Sequence, residues 1–375
     1  MTNDERREAR YQRRKAARRA KLQQRGMQLG AAEQWCTYRR LYRFGKACCK
    51  GVRYKQSIQN FERHLFSLTA ARRREILDGT WKQRHKPSHF TLCERGKVRP
   101  IDAPHVEDRH VQKLVSKDIL EPCYKPSMIY DNGASQTGKG LHLAYRRLSE
   151  QLRNHYRRHG LQGGVLLLDL KSFFPNAPKD QILKRHQELI LSPSARELAD
   201  RVVVAAPETS SGRGMPLGME PSQQEMIALP SAVDNWLKCQ RRYKMAGHYM
   251  DDYYVGSHDV GELRELKDEL VERFGRLGIT VNENKVQIVP MGKPFRFCKV
   301  QFCLTAAGGV KRHAFRDSAK RGRRKIRLLW AQGKAQAARD ALVAHTAYYA
   351  KHHDHGRVQR LYGYYKQCER SAKGQ

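Results

Sequence analysis

Apolar positions along the chain recur with a helical period in some stretches and in short continuous runs in others. Residues 1–25 are dense in Arg and Lys and almost devoid of large apolar side chains. That pattern predicts a solvated, helix-prone arm, or a basic arm lying on nucleic acid phosphates. From Leu29 to about Leu77, Trp35, Tyr38, Leu41, Tyr42, Phe61, Leu65 and Phe66 fall at helix-like spacing, predicting two or three amphipathic helices. The segment FTLCERGKVRPIDAP, Phe90 to Pro104, reads as strand, turn at Arg95-Gly96, strand. VEDRHVQKLVSKDILEPCY then predicts an amphipathic helix ending near Pro122. The Gly-rich stretch from Tyr130 to Gly140 predicts a loop, and a helix follows from His142 to about His155.

The clearest strand is GGVLLLDLKSFF. Val165 to Leu168 is a continuous apolar run, as in a strand buried on both faces. It ends in Asp169, Pro175 breaks the pattern, and a helix resumes by Asp180. A second strand-turn-strand centres on GHYMDDYYVGS, Gly247 to Ser257, with Asp251-Asp252 at its tip. Gly261 to Leu277 is helical, with Leu263, Leu266, Leu270 and Phe274 on one face. ITVNENKVQIV and FRFCKVQFCLT alternate as strands, and from about Arg316 the chain is helical and very basic. No internal repeat is evident.

Charge narrows this picture. The 375 residues carry 73 Lys+Arg against 37 Asp+Glu, a formal net charge of +36. Such an excess opposes compaction unless a polyanion neutralises it, and nucleic acid is the default candidate. No run approaches the length of a membrane span. The N-terminal stretch lacks the apolar core of a signal peptide. The nine cysteines show no zinc-type C-x-x-C spacing, so reduced thiols and a cytoplasmic location without membrane contact are expected.

The candidate chemistry rests on three acids. A carboxylate ending a buried strand, beside a hairpin tip bearing two more, can gather two Mg2+ ions for in-line phosphoryl transfer. Tyr249-Met250-Asp251-Asp252 resembles the Y-x-D-D box of reverse transcriptases, and Asp169 to Pro175 resembles that family's first palm motif. Gly214 to Gln223, GMPLGMEPSQ, resembles the G-x-P-x-G-x-x-x-S-[PQ] motif expected between them. Lys97-Val98-Arg99-Pro100-Ile101, with Asp108-Arg109 and Gln112, resembles the fingers segment of bacterial members. Asn282-x-x-Lys285 resembles the fourth palm motif. Phe297-Cys298-Lys299-Val300 stands where the primer-grip hairpin reads F-L-G in bacterial relatives, a departure.

The resemblance implies an α+β right-hand polymerase fold and RNA-directed DNA synthesis. It assigns catalysis to Asp169, Asp251 and Asp252, and metal binding to these three with Leu170. The cofactor would be two Mg2+, with Mn2+ an alternative. Nucleotide contacts would come from Lys97, Arg99, Phe174 as a steric gate against the 2′-hydroxyl, Gln223, and Lys285 near the pyrophosphate. Lys139 is a further phosphate candidate. Arg316, Lys320, Arg323, Arg324 and Arg327 would lie along the template–primer backbone, on a helix anchored by Ile326, Leu328, Leu329 and Trp330. Tyr348, Tyr349, Tyr362, Tyr364 and Tyr365 read as core or as base-stacking residues, and His352, His353 and His355 as surface or phosphate contacts.

The expected divisions are a basic arm at 1–28, N-terminal helices and fingers at 29–160, palm at 161–305 and basic helical thumb at 306–375. The expected partners are a template or non-coding RNA, the cDNA product, dNTPs, and an accessory protein or further copies of the chain. The Ser222-Gln223 ending of the middle motif resembles diversity-generating retroelement and defence-associated enzymes, where group II intron and retron enzymes read S-P. No zinc-finger or H-N-H-type endonuclease is evident, so a mobile intron protein is not expected. Anti-phage defence with an associated non-coding RNA is the favoured setting, and mutagenic diversification the alternative. A catalytically idle RNA-binding scaffold has no need of three clustered carboxylates. An RNA-dependent RNA polymerase would usually carry G-D-D.

Overall fold

The computed structural model describes residues 2–94, 97–208, 212–314, 316–352, 354–372 and 374. The Arg95-Gly96 turn and His353 lie outside the described residues, as do the side chains of Lys97 and Arg316.

The basic arm forms one helix, Asn3–Leu29. The segment to Leu77 contains four helices, two of them short: Ala32–Trp35, Tyr38–Cys49, Gln56–Arg63 and Leu65–Leu77. Thr37 caps the second by accepting from the Arg40 N–H. The fingers hairpin pairs β1 (Ser88–Glu94) with β2 (Lys97–Ala103), from Ser88 opposite Ala103 to Glu94 opposite Lys97. The helix after it does not stop at Pro122. Val106–Leu114 continues through a wide π-helical stretch, Val115–Leu120, into Glu121–Tyr124. A proline at the start of a helical segment gives up only a donor that the altered bonding already leaves free, so the chain passes it.

The palm is a four-stranded antiparallel sheet in the order β4 (Met245–Tyr249), β5 (Asp252–Ser257), β3 (Gly164–Asp169), β6 (Gln287–Pro290). The continuous apolar run of β3 has a simple cause. Leu166 and Leu168 face the main core, where Leu263, Leu266, Leu270 and Phe274 of the Val260–Arg276 helix pack. Val165 and Leu167 face a second core with Leu148 and Leu152 of the Leu141–His159 helix. Both faces are thus covered. ITVNENK is not a strand: Val281 makes a single bridge to Leu170, and a 3-10 turn, Glu283–Lys285, precedes β6.

A third sheet orders β7 (Phe295–Phe297), β8 (Val300–Leu304) and β9 (Val310–Ala314). β9 carries only two apolar residues in five, so its pattern is nearly silent; pairing with β8, from Val300–Ala314 to Leu304–Val310, forms it.

Three helices close the chain: Arg316–Ala331, Ala335–Ala350 and His355–Ala372. Their core includes Ile326, Leu342, Tyr349 and Tyr365, with Leu329 and Trp330 packed against it. Leu328 is not an anchor, since it points to solvent at 55% exposure, as does Tyr362 at 53%. His352 is not a surface group: it is buried, and its ring meets Tyr145 edge-on at 5.4 Å. All nine cysteines are free.

Candidate active site

The register of the palm sheet brings the three acids together. β3 and β5 pair so that Asp169 stands opposite Asp252. Asp251 lies in the β4–β5 turn, and its carbonyl accepts from the Leu170 N–H at 3.1 Å. Met250 holds this turn in the left-handed region, at φ 55°. Leu170 itself is buried, so only its backbone can reach a ligand.

The carboxylates share one cleft of about 820 Å³, lined also by Arg99, Phe174, Lys285, Arg296, Cys298 and Lys299. Burial pushes the Asp251 carboxyl above its usual range, and the Asp169 charge adds to this while Lys285 and Arg99 oppose it. Burial, then Asp251 and Asp169, push Asp252 up to about 6, against a hydrogen bond from Cys298. The site is therefore short of positive charge. Lys285 Nζ donates to Asp169 Oδ2 at 2.8 Å, and Asn282 Nδ2 donates to the same oxygen at 3.1 Å. The Asn282 N–H also donates to the Asp169 carbonyl at 2.7 Å.

Phe174 stands half-buried at the cleft, its ring edge-on to Phe173 at 6.0 Å. Its carbonyl accepts from the Met215 N–H at 2.9 Å, so the middle motif braces the loop after β3. The same motif docks on the fingers. The Asp102 N–H donates to the Leu217 carbonyl at 2.9 Å. Gly218, at φ 114°, passes so close that a Cβ there would stand 2.7 Å from the Asp102 carbonyl oxygen.

Gln223 lies on the Glu220–Ala228 helix, exposed, and accepts from the Ser135 hydroxyl at 3.0 Å. It is not among the residues lining the cleft. Lys139 turns inward, donating to the Tyr130 and Asn132 carbonyls at 3.0 Å each, so it pins the Gly-rich loop. Lys320, Arg323, Arg324 and Arg327 are exposed on their helix, with Arg323 lying 6.0 Å from the Tyr364 ring centre. Asp108 and Arg109 tie the fingers together: Asp108 accepts from the Arg84 and His85 N–H groups at 3.0 Å, and Arg109 donates to the Cys48 carbonyl at 2.8 Å.

Two features escaped sequence reasoning. Cys298 and Lys299 form a two-residue hairpin turn, both with positive φ, 46° and 69°. That is the type I′ pattern, normally built with Asn or Gly. It carries the Cys298 thiol to Asp252, while the Tyr145 hydroxyl holds the Cys298 carbonyl at 2.7 Å. Beneath the acidic turn, buried His248 bridges the Met250 carbonyl, at 3.1 Å, and Asp234, at 3.0 Å, and stacks on Tyr253. The departure from F-L-G pointed to the first; nothing local pointed to Asp234.

Residues 84–302 match the family model described as reverse transcriptase (RNA-dependent DNA polymerase). The match covers more than half of the chain, which therefore belongs to the reverse transcriptase family. Its fold is that family's mixture of helices and antiparallel sheets, and the family normally uses divalent metal ions. Among solved structures it is similar to a telomerase from Candida albicans in complex with a TWJ fragment of telomeric RNA, with a TM-score of 0.48 and 12% identity. The similarity covers 75% of this chain and 56% of that one, so the chain spans little more than half the telomerase chain's length. No curated protein matches. No helix among the described residues is long and apolar enough to cross a membrane.

Proposed function

We propose that the protein is an RNA-directed DNA polymerase that extends a primer hydroxyl with dNTPs on an RNA template, holding two Mg2+ ions on Asp169, Asp251 and Asp252. The convergence of the three part-buried carboxylates in one cleft carries this reading. Mutual repulsion among buried oxygen donors suits hard divalent cations, and Mn2+ accepts the same set. Leu170 can add a backbone carbonyl. Such ions, when bound, would lower the pKa of the 3′-hydroxyl and neutralise charge on the leaving pyrophosphate. Arg99 and Lys97 meet the triphosphate, Lys285 supplies a proton or charge at the pyrophosphate, Phe174 excludes the 2′-hydroxyl, and Gln223 approaches the template side. Arg316, Lys320, Arg323, Arg324 and Arg327 grip the template–primer backbone. The working divisions are arm 1–28, fingers 29–160, palm 161–305 and thumb 306–375.

The setting we favour is anti-phage defence with an associated non-coding RNA. The Ser222-Gln223 form of the middle motif equally supports a mutagenic retroelement enzyme, working with an accessory protein or further copies of the chain. Three clustered acids weigh against an idle RNA-binding scaffold. Purification from cells, with sequencing of bound RNA and cDNA, tests the whole reading, using Asp251→Ala/Asp252→Ala as the blank. A non-coding or repetitive cDNA made during phage infection supports defence. An adenine-mutated copy of a neighbouring gene supports diversification. Equal cDNA from the double variant would overturn the metal assignment.

A further inference from the structure

Two basic stripes face each other on the side of the palm away from the carboxylates. On the Asn3–Leu29 helix, Arg7, Arg10, Arg14 and Lys15 follow one another at helical spacing and line a cavity of about 420 Å³, with Tyr11 among them. Across it stand Lys238, Arg242 and Lys244, from the segment leading into β4, and Arg147 of the Leu141–His159 helix. Among the described residues Asp131 is the single acid lining that cavity, and it is already shared between Arg147, at 2.8 Å, and Lys238, at 2.9 Å, Arg147 pairing also with Glu150 at 2.8 Å.

A second cavity of about 320 Å³ continues the first, through Arg147, Arg242, Tyr243 and Lys244, which line both. Arg158 adds charge there, as does Arg241, which pairs with Glu269 at 3.3 Å, and Asn154 adds an exposed amide. His159 stacks on His258 at 4.4 Å. Its one acid among the described residues, Glu262, accepts from the Tyr243 hydroxyl at 2.8 Å and the Ser257 hydroxyl at 2.6 Å.

Like charges held face to face across a gap repel, and only an anion between them turns the arrangement favourable. Lys238 reports that field: burial lowers its basicity and Arg147 lowers it further, although Asp131 opposes both. The groove reaches Gly256 and Ser257, at the opposite end of β5 from Asp252. At about 3.4 Å per residue, some 17 Å of strand separates it from the catalytic acids. It is too far to hold the reacting phosphates, and near enough for one long ligand to occupy both.

We infer that this groove is a second nucleic-acid site, in which the Asn3–Leu29 helix and the back of the palm clamp the phosphate backbone of a folded RNA. The assignment to RNA rests on the polymerase reading above. The exposed amide of Asn154 is placed to meet a 2′-hydroxyl, which a DNA strand lacks.

The probe is a short blunt RNA hairpin, offered to the full chain and followed by fluorescence anisotropy across a salt series. Arg10→Glu/Arg14→Glu and Arg242→Glu/Lys244→Glu each remove two cations from one wall. Each is expected to weaken hairpin binding at least tenfold and to flatten the salt dependence by about 0.9 per lost phosphate contact. Extension of a pre-annealed short primer–template should persist, which also reports that the variants fold. Where a Glu variant loses extension as well, the corresponding Gln pair is the readout, with the same expectation. Unchanged hairpin affinity and salt slope would overturn the proposal. A DNA hairpin bound as tightly as RNA would overturn the assignment to RNA, and poly-glutamate competing as well as RNA would replace it with an acidic protein. Asp251→Ala/Asp252→Ala should still bind the hairpin. A wild-type protein that binds the hairpin and extends no primer would remove the polymerase reading and leave the groove standing.

Discussion

Lys285 Nζ stands 2.8 Å from Asp169 Oδ2, joining residues 116 positions apart in the chain. The lysine is half exposed, so this pair contributes at most about 1 kcal/mol. Its interest is competitive, because it sits on an oxygen that a metal ion would use. Removing the charge should help the metal and harm the chemistry. For Lys285→Gln, the Mg2+ concentration for half-maximal activity is expected to fall up to about fivefold. The saturating rate should fall by about 10²-fold through loss of an acid or cation at the leaving group. Lys285→Arg should recover part of the rate. Steady-state extension across a Mg2+ titration reads both quantities, and parallel losses in affinity and rate would show Lys285 to be structural.

Phe174 occupies the cleft wall with its backbone fixed by Met215 and its ring fixed by Phe173. Phe174→Ala is expected to improve ribonucleotide use relative to dNTP use by at least about tenfold, since the excluded hydroxyl gains space. The half-buried ring makes the stability cost about 1–2 kcal/mol, below that of a core phenylalanine. Competition between rNTPs and dNTPs in single-nucleotide extension measures the ratio, and an unchanged ratio removes the gate.

Sequence pattern carries the elements that build this cleft, because each advertises itself locally. The run Val165–Leu168 needs two covered faces, and Asp169 ends it abruptly. The Asp251-Asp252 pair sits between strand residues on both sides. What escapes local reading depends on distant partners. β9 owes its existence to β8. Lys139 reads as a free cation in a Gly-rich loop, yet three backbone carbonyls claim it, those of Ile129, Tyr130 and Asn132. Cys298 reads as a family departure, and only the turn geometry reveals its thiol beside Asp252.

His248 illustrates a positioning role with a testable signature. Its two ring nitrogens face the Met250 carbonyl and the Asp234 carboxylate, and Tyr253 both stacks on the ring and donates to Asp234 at 3.2 Å. The ring therefore fixes a turn that holds a non-glycine residue at positive φ, a conformation that needs outside support. His248→Ala should reduce kcat for extension at least about tenfold while leaving the dNTP KM nearly unchanged, because on the proposed reading the turn carries metal ligands and not the base-pairing surface. The variant should lose about 2–3 kcal/mol of stability, since one oxygen of buried Asp234 loses its partner and only the Tyr253 hydroxyl remains. Chemical denaturation and single-turnover extension separate the two effects. Loss of stability with an unaltered kcat would limit His248 to packing.

A last prediction concerns pH. His186 is fully buried, with Nδ1 2.5 Å from Asp200 Oδ1 and Nε2 3.0 Å from Glu225 Oε1, while the Tyr124 hydroxyl donates to the other oxygen of Glu225. Burial alone would make the imidazole less basic, but Glu225 and Asp200 outweigh it and hold the ring up to about 9. A base raised on folding stabilises the native state most when protonated in both states. Its contribution is therefore complete below about pH 6.5 and disappears as the pH climbs through 9, a loss of about 3 kcal/mol. Glu225 belongs to the helix that begins in the middle motif, so this loss loosens the support of the Gly218 loop. The urea midpoint of the wild type should fall between pH 6.5 and 9, and that of His186→Gln should start lower and change less over the same range. Parallel midpoints for the two proteins would mean that His186 is neutral in the fold, with its two acids satisfied by other means.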